Sequence, residues 1–110
     1  MPRATDVLQG TLDLLVLKSL AQLGAMHGFG IALHIQQVSN DLLRVEEGSL
    51  YPALHRIQQA RLIASEWKST QNNRRAKYYR LTPLGRQQLA REEEHWANVV
   101  KGVNALLRYA

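Results

Sequence analysis

The apolar residues of this chain change period twice, and that pattern restricts the fold more than any other feature. Up to about residue 60 they recur at three- and four-residue spacing, the mark of helices with one buried face. From Leu62 to Lys68, and again from Ala76 to Leu81, the period falls to two, as in strands. At Thr82 the helical period returns and runs to about Arg108, roughly 39 Å at 1.5 Å per residue. The expected fold is mainly α with a small β-hairpin and a long C-terminal helix. At 110 residues the chain is about one domain and can bury roughly two thirds of its unfolded surface.

Local signals refine this outline. Thr11 reads as a helix cap with Asp13 in the first turn, where the helix dipole favours an acid. Leu12, Leu15, Val16, Leu20 and Leu23 follow, and Gly24 ends the helix. Residues before Gly10 read as an arm or a short helical extension. His27-Gly28-Phe29-Gly30 is a turn into a second helix with Ile31, Ile35 and Val38 on one stripe, closed by Ser39-Asn40-Asp41. Arg44-Val45 is a candidate short edge strand. Glu47-Gly48-Ser49 opens a third helix, Pro52 is expected in its first turn, and Leu50, Leu54 and Ile57 face inward. The segment Ser69 to Arg75 is wholly polar, and Asn72-Asn73 suits a hairpin tip that needs left-handed backbone. Thr82-Pro83 is a strong start for the last helix.

Charge is distributed unevenly. The net charge is +5, yet residues 54–91 hold nine Lys and Arg against Glu66 alone, while both flanks are slightly acidic. A basic middle in a small domain points to a polyanion, most often nucleic acid, with a merely solvated face as the alternative. A composition 45% hydrophobic and 21% charged excludes a disordered or low-complexity chain. Without cysteine there is no disulfide, Cys-ligated metal or thiol nucleophile, and His27, His34, His55 and His95 lack ligand spacing. No phosphate-binding glycine loop, nucleophile elbow or paired-carboxylate site is present, so no enzyme, cofactor or metal is expected. The longest apolar run, Leu14 to Leu17, is far shorter than a membrane span, and no signal peptide fits the N-terminus. A soluble, cytoplasmic protein is expected.

Three helices followed by a hairpin with a basic tip is the order of a winged helix-turn-helix, in which the third helix enters the major groove and the wing touches the flanking backbone. The sequence also resembles the PadR family of bacterial transcriptional regulators. The resemblance lies in Gly10-Thr11-Leu12, in His27 to Ile31, in Glu47-Gly48-Ser49-Leu50-Tyr51-Pro52-Ala53-Leu54-His55-Arg56, in Arg61-Leu62-Ile63, in Asn73 to Gly85, and in Trp96. Phe29 stands where Tyr is common and Ser49 where Thr is common. The resemblance implies a dimeric repressor of the compact subgroup with a single dimerisation helix, bound to a pseudo-palindromic operator and released by a signal.

The expected arrangement is a DNA-binding domain over 1–81 and a dimerisation helix over 82–110. The recognition helix covers about 48–60 and the wing about 68–80. Candidate contacts to double-stranded DNA are Ser49, Tyr51, His55 and Arg56 on the helix, and Lys68, Asn73, Arg74, Arg75 and Lys77 on the wing. Tyr51 has a second reading as a half-buried anchor, and the basic tip as a solubilising one. Leu89, Trp96, Val99, Val100, Val103, Leu106 and Leu107 form a heptad-like stripe suited to a homodimer, or to folding back on the domain. Trp96 either fills that interface or lines a cavity for a small aromatic effector. A ligand sensor and a basic protein–protein adaptor are the competing functional classes.

Overall fold

The computed structural model describes the backbone of residues 4–110 and the side chains of residues 10–110. Residues 1–3, with Arg3 of the charge tally, lie outside the described residues. Helix α1 spans Ala4–Leu23. It begins seven residues before the expected Thr11 cap, so Thr11 and Asp13 lie within the helix rather than in its first turn. The cap reading overweighted Gly10-Thr11: packing of Val16, Leu17 and Leu20, each no more than 2% exposed, outweighs the roughly 1 kcal/mol that a glycine costs inside a helix. At its other end Gly24 takes φ +77 and its N–H bonds the Leu20 carbonyl at 3.0 Å, the expected stop.

A short strand absent from the sequence reading follows. Strand β1, Met26–His27, pairs antiparallel with Tyr79 and Tyr78. Two residues are too few for a period, so pairing alone reveals it. His27 then caps helix α2, Gly28–Val38, its Nδ1 accepting from the Gly30 N–H at 3.0 Å. Ile31 and Ile35 are buried as expected, but Val38 is 64% exposed because it lies past the end of the core. Ser39 caps the exit, and Asn40 and Asp41 both take left-handed backbone. The expected edge strand at Arg44-Val45 is not formed; the segment is a loop with Val45 half-buried against the core.

Helix α3 spans Glu47–Gln59 and buries Leu50, Ala53, Leu54 and Ile57. Pro52 sits one turn deeper than expected, inside the helix. Its ring faces the carbonyl of Gly48, which loses a backbone donor but lies exposed to water. Strands β2, Ile63–Ser69, and β3, Arg75–Leu81, form the hairpin, and the sheet order is β1-β3-β2. Helix α4 runs Pro83–Arg108. Thr82 Oγ1 accepts from the Gly85 N–H at 3.0 Å and donates to the Leu62 carbonyl at 3.0 Å, fixing α4 to the start of β2. A Cβ at Gly85 would overlap the Leu62 carbonyl, so glycine permits that close approach.

The core joins all the helices and the sheet: Val16, Leu17, Leu20, Ile31, Ile35, Leu50, Leu54, Ile57, Ile63, Tyr79 and Leu89. Each fully buried Leu or Ile contributes about 1.5–3 kcal/mol. Leu89, expected on the dimer stripe, is 8% exposed and belongs to this core. Beyond it α4 projects, and the molecule measures 59 × 29 × 26 Å.

Among the described residues, two ion pairs tie α1 to its neighbours. Lys18 Nζ meets Glu93 Oε1 of α4 at 2.7 Å. Asp13 Oδ1 accepts from Nη2 of Arg56 on α3. Burial raises the Asp13 carboxyl above its ordinary 3.8; Arg56 opposes this by hydrogen bond and charge, and Glu92 adds to it. Asp13 therefore binds its proton more tightly in the folded state than in the unfolded chain. The corresponding stability is present below pH 3.8 and is lost as pH rises through the folded value. Asp13→Asn, which mimics the neutral form, is expected to gain in Tm relative to the parent as pH rises from about 3 to about 6. A Tm difference that stays constant over this range refutes the assignment.

Candidate nucleic-acid interface

The hairpin register decides where each wing side chain points. Ile63 pairs with Leu81, Ser65 with Tyr79, Trp67 with Lys77 and Ser69 with Arg75. Side chains alternate across a strand, so these residues share one face. At its base that face buries Ile63 and Tyr79 in the core; towards the tip it presents Trp67, Lys77 and Arg75. Glu66, Lys68, Tyr78 and Arg80 occupy the other face. At the tip the Asn73 N–H bonds the Thr70 carbonyl at 3.1 Å, the Thr70 N–H bonds the Arg74 carbonyl at 2.6 Å, and Asn73 takes φ 60. Asparagine tolerates that conformation, as expected for the hairpin turn.

The inner face of the wing looks across a cleft at the helix-turn-helix. The cleft has a volume of about 660 Å³ and is lined by His27 of β1, Gly28 and Phe29 of α2, Tyr51 of α3, and Trp67, Thr70, Arg74, Arg75, Ala76, Lys77 and Tyr79 of the wing. Tyr51 packs over Gly28, where an added Cβ would stand 2.9 Å from its hydroxyl oxygen. The ring is anchored on α2, as the half-buried reading expected, and is still 45% exposed. Ser49 and His55 are exposed on α3.

The expected contact residues divide into groups. Arg74, Arg75 and Lys77 form no ion pair among the described residues. Arg75 instead stands 5.6 Å over the Trp67 ring, and Lys77 Nζ lies 5.9 Å over Tyr79. These cations, with exposed Asn73, cluster at the cleft and tip. Lys68 lies on the opposite face, 3.3 Å from Glu66 and 5.5 Å over Tyr78. Arg56 is engaged with Asp13 and fixes α3 against α1. Sequence reasoning passed over Phe29 and Trp67, which are 68% and 58% exposed in the cleft. For Trp67 the signal was available: it has the parity of Ile63 and, through the register, of Tyr79. For Phe29 none was, because its exposure depends on how the turn sits.

On the far side of the molecule Trp96, Val99, Val100, Val103, Leu106 and Leu107 run along α4 at 37–76% exposure. Between the start of α1 and α4 lies a second cleft of about 670 Å³, lined by Gly10, Thr11, Leu14, Gln88, Arg91, Glu92, His95, Trp96 and Val99. Among the described residues no group of three or more His, Cys, Asp or Glu could hold a metal, and no helix is long and apolar enough to cross a membrane.

Known proteins share both the sequence pattern and the architecture. Residues 16–91 match the Transcriptional regulator PadR-like family. A transcriptional regulator from Clostridium thermocellum superposes with a TM-score of 0.84 at 28% identity, covering 94% of this chain and 99% of that one. A PadR family transcriptional regulator from Eggerthella lenta superposes with a TM-score of 0.77 at 29% identity, covering 96% and 89%. A transcriptional regulator of Mycobacterium tuberculosis is 39% identical over 57 residues, 52% of each chain. With its winged-helix fold, its basic wing and a family match over most of its length, the chain belongs to the PadR-like family of DNA-binding transcriptional regulators.

Proposed function

We propose that the protein is a homodimeric repressor that binds a pseudo-palindromic operator in double-stranded DNA. The observation that carries this reading is that Tyr51, exposed on α3, lines one cleft with three wing cations, Arg74, Arg75 and Lys77, that form no ion pair among the described residues, while His55 is exposed one turn along the same side of the helix and Ser49 on its other flank. Residues about 48–60 serve as recognition helix in the major groove, and residues about 68–80 as a wing on the flanking backbone or in the minor groove. Ser49 and Tyr51 suit phosphate contacts and His55 a base edge; Asn73, Arg74, Arg75 and Lys77 serve the backbone. Lys68 is placed for a more peripheral phosphate. Arg56, held by Asp13, orients the helix.

The dimer reading rests on the Trp96-to-Leu107 stripe. So many apolar side chains on one projecting helix call for a partner helix, most simply that of a second copy. A second reading, compatible with the first, makes Trp96 part of a small-aromatic-effector site. It is favoured by the apolar cleft that Trp96 and Leu14 line between α1 and α4. Occupancy there would alter the spacing of the two winged domains and release DNA.

Anisotropy of labelled duplex from upstream of the protein's own gene, against a scrambled duplex over a salt series, tests the regulator reading. Tight binding to the native duplex alone is expected, and no binding to either favours the adaptor. Arg74→Ala/Arg75→Ala is expected to weaken all duplexes and lower the salt slope by about two, one for each lost phosphate contact; an unchanged slope removes the wing assignment. Val103→Asp should shift the protein from dimer to monomer in sedimentation velocity, and an unaltered dimer refutes the stripe as interface. Planar aromatic compounds should quench the parent but not Trp96→Phe, which retains only Trp67; equal quenching in both discards the effector site.

A further inference from the structure

The cleft between α3 and the wing carries more apolar surface than neutralising phosphates requires. Phe29, Trp67 and Tyr51 expose 68%, 58% and 45% of their surface, and Arg74, Arg75 and Lys77 stand among them. Among the described residues, no Asp or Glu lines the cleft. The aromatic and cationic groups are interleaved, with Arg75 over Trp67 and Lys77 over Tyr79. A nucleic-acid strand has the complementary alternation: weakly polar sugar rings separated by charged phosphates. An apolar peptide would leave the three cations unmatched, and a bare anion would leave the aromatic faces wet.

We infer that this cleft seats the sugar–phosphate backbone of one DNA strand, with Trp67 and Phe29 packing on deoxyribose faces while Arg75 and Lys77 meet the phosphates. The inference deepens the regulator reading and rests on it: it assigns two contact residues that act by apolar packing rather than charge. Aromatic rings supply contact area at low conformational cost. On DNA binding the Arg75 guanidinium moves from the Trp67 ring to a phosphate, which frees the ring for a sugar.

The physical distinction lies in the salt dependence. Losing a phosphate contact changes the slope of log K against log salt; losing an apolar contact lowers affinity at every salt and leaves the slope alone. Phe29→Ala and Trp67→Ala are expected to raise the Kd for the native duplex about five- to twentyfold each, with the parent's salt slope, while Trp67→Tyr restores most of the affinity. Both side chains are largely exposed, so Tm and oligomeric state should match the parent's. In a Trp96→Phe background, saturating duplex should quench and blue-shift Trp67, and adenosine monophosphate at equal phosphate concentration should not. Variants that bind as the parent does overturn the inference and leave the regulator reading intact. A lower salt slope in Trp67→Ala also overturns it, since Trp67 would then act only by holding Arg75. A Trp67 signal saturated by the mononucleotide alone makes the cleft a nucleotide pocket instead. Failure of the parent to bind any duplex overturns the regulator reading, and this inference with it.

Discussion

Burial of one face of α1 is the constraint on which the rest of the molecule depends. Val16, Leu17 and Leu20 are almost fully enclosed, and α2, α3, α4 and β3 all pack on this helix. A domain this small has one core, and α1 supplies its centre. Helix α3 and the projecting α4 are held through the same strut rather than through each other. The two ion pairs repeat the pattern at the surface of that core, Asp13 reaching α3 and Lys18 reaching α4. The exposed Lys18–Glu93 pair adds little stability and the part-buried Asp13–Arg56 pair carries a desolvation cost; their effect here is to fix the rotation of helices whose burial is already decided.

A second constraint, the β2–β3 register, turns a basic hairpin into a directed surface. A slip of β2 by one residue would send Trp67 to the outer face and bring Lys68 inward, and a slip of β3 would do the same to Arg75 and Lys77 and bring Arg80 inward. Ile63 and Tyr79 prevent the slip, because both are buried at the base of the same face. Core packing at one end of the wing thus sets which cations look into the cleft at the other. The Thr82 cap and the close approach at Gly85 then anchor α4 at the end of β3.

The features legible in the sequence were those with a period or a specific cap. Helices α2, α3 and α4, the hairpin, the left-handed Asn73 and the Thr82 cap all carry such signals, and the structure contains each of them. The features missed are those decided by tertiary contact. Strand β1 exists because β3 offers it an edge. Thr11 is not a cap because the helix has partners that carry it past Gly10. Pro52 inside α3 depends on an exposed Gly48 carbonyl. Arg56 has the same residue type and helix position whether it reads a base or grips Asp13, and only the placement of α1 separates the two. Leu89 fits the heptad of the stripe, yet it falls where α4 still lies over the core.

Leu89 also shows where the domain ends in physical terms. At that residue α4 still lies on the core and Leu89 is enclosed, while Leu84 on its first turn is 44% exposed. From Trp96 onward the apolar spacing continues as the domain beneath it runs out: exposure is 37–49% from Trp96 to Val103 and reaches 74% at Leu106 and 76% at Leu107. A helix selected only to cover its own domain would turn polar at that point. Here the apolar side chains persist for more than two further turns, and helix propensity alone does not call for them. Cohesion of the winged domain therefore does not account for the second half of α4, the half that the proposed dimer would cover.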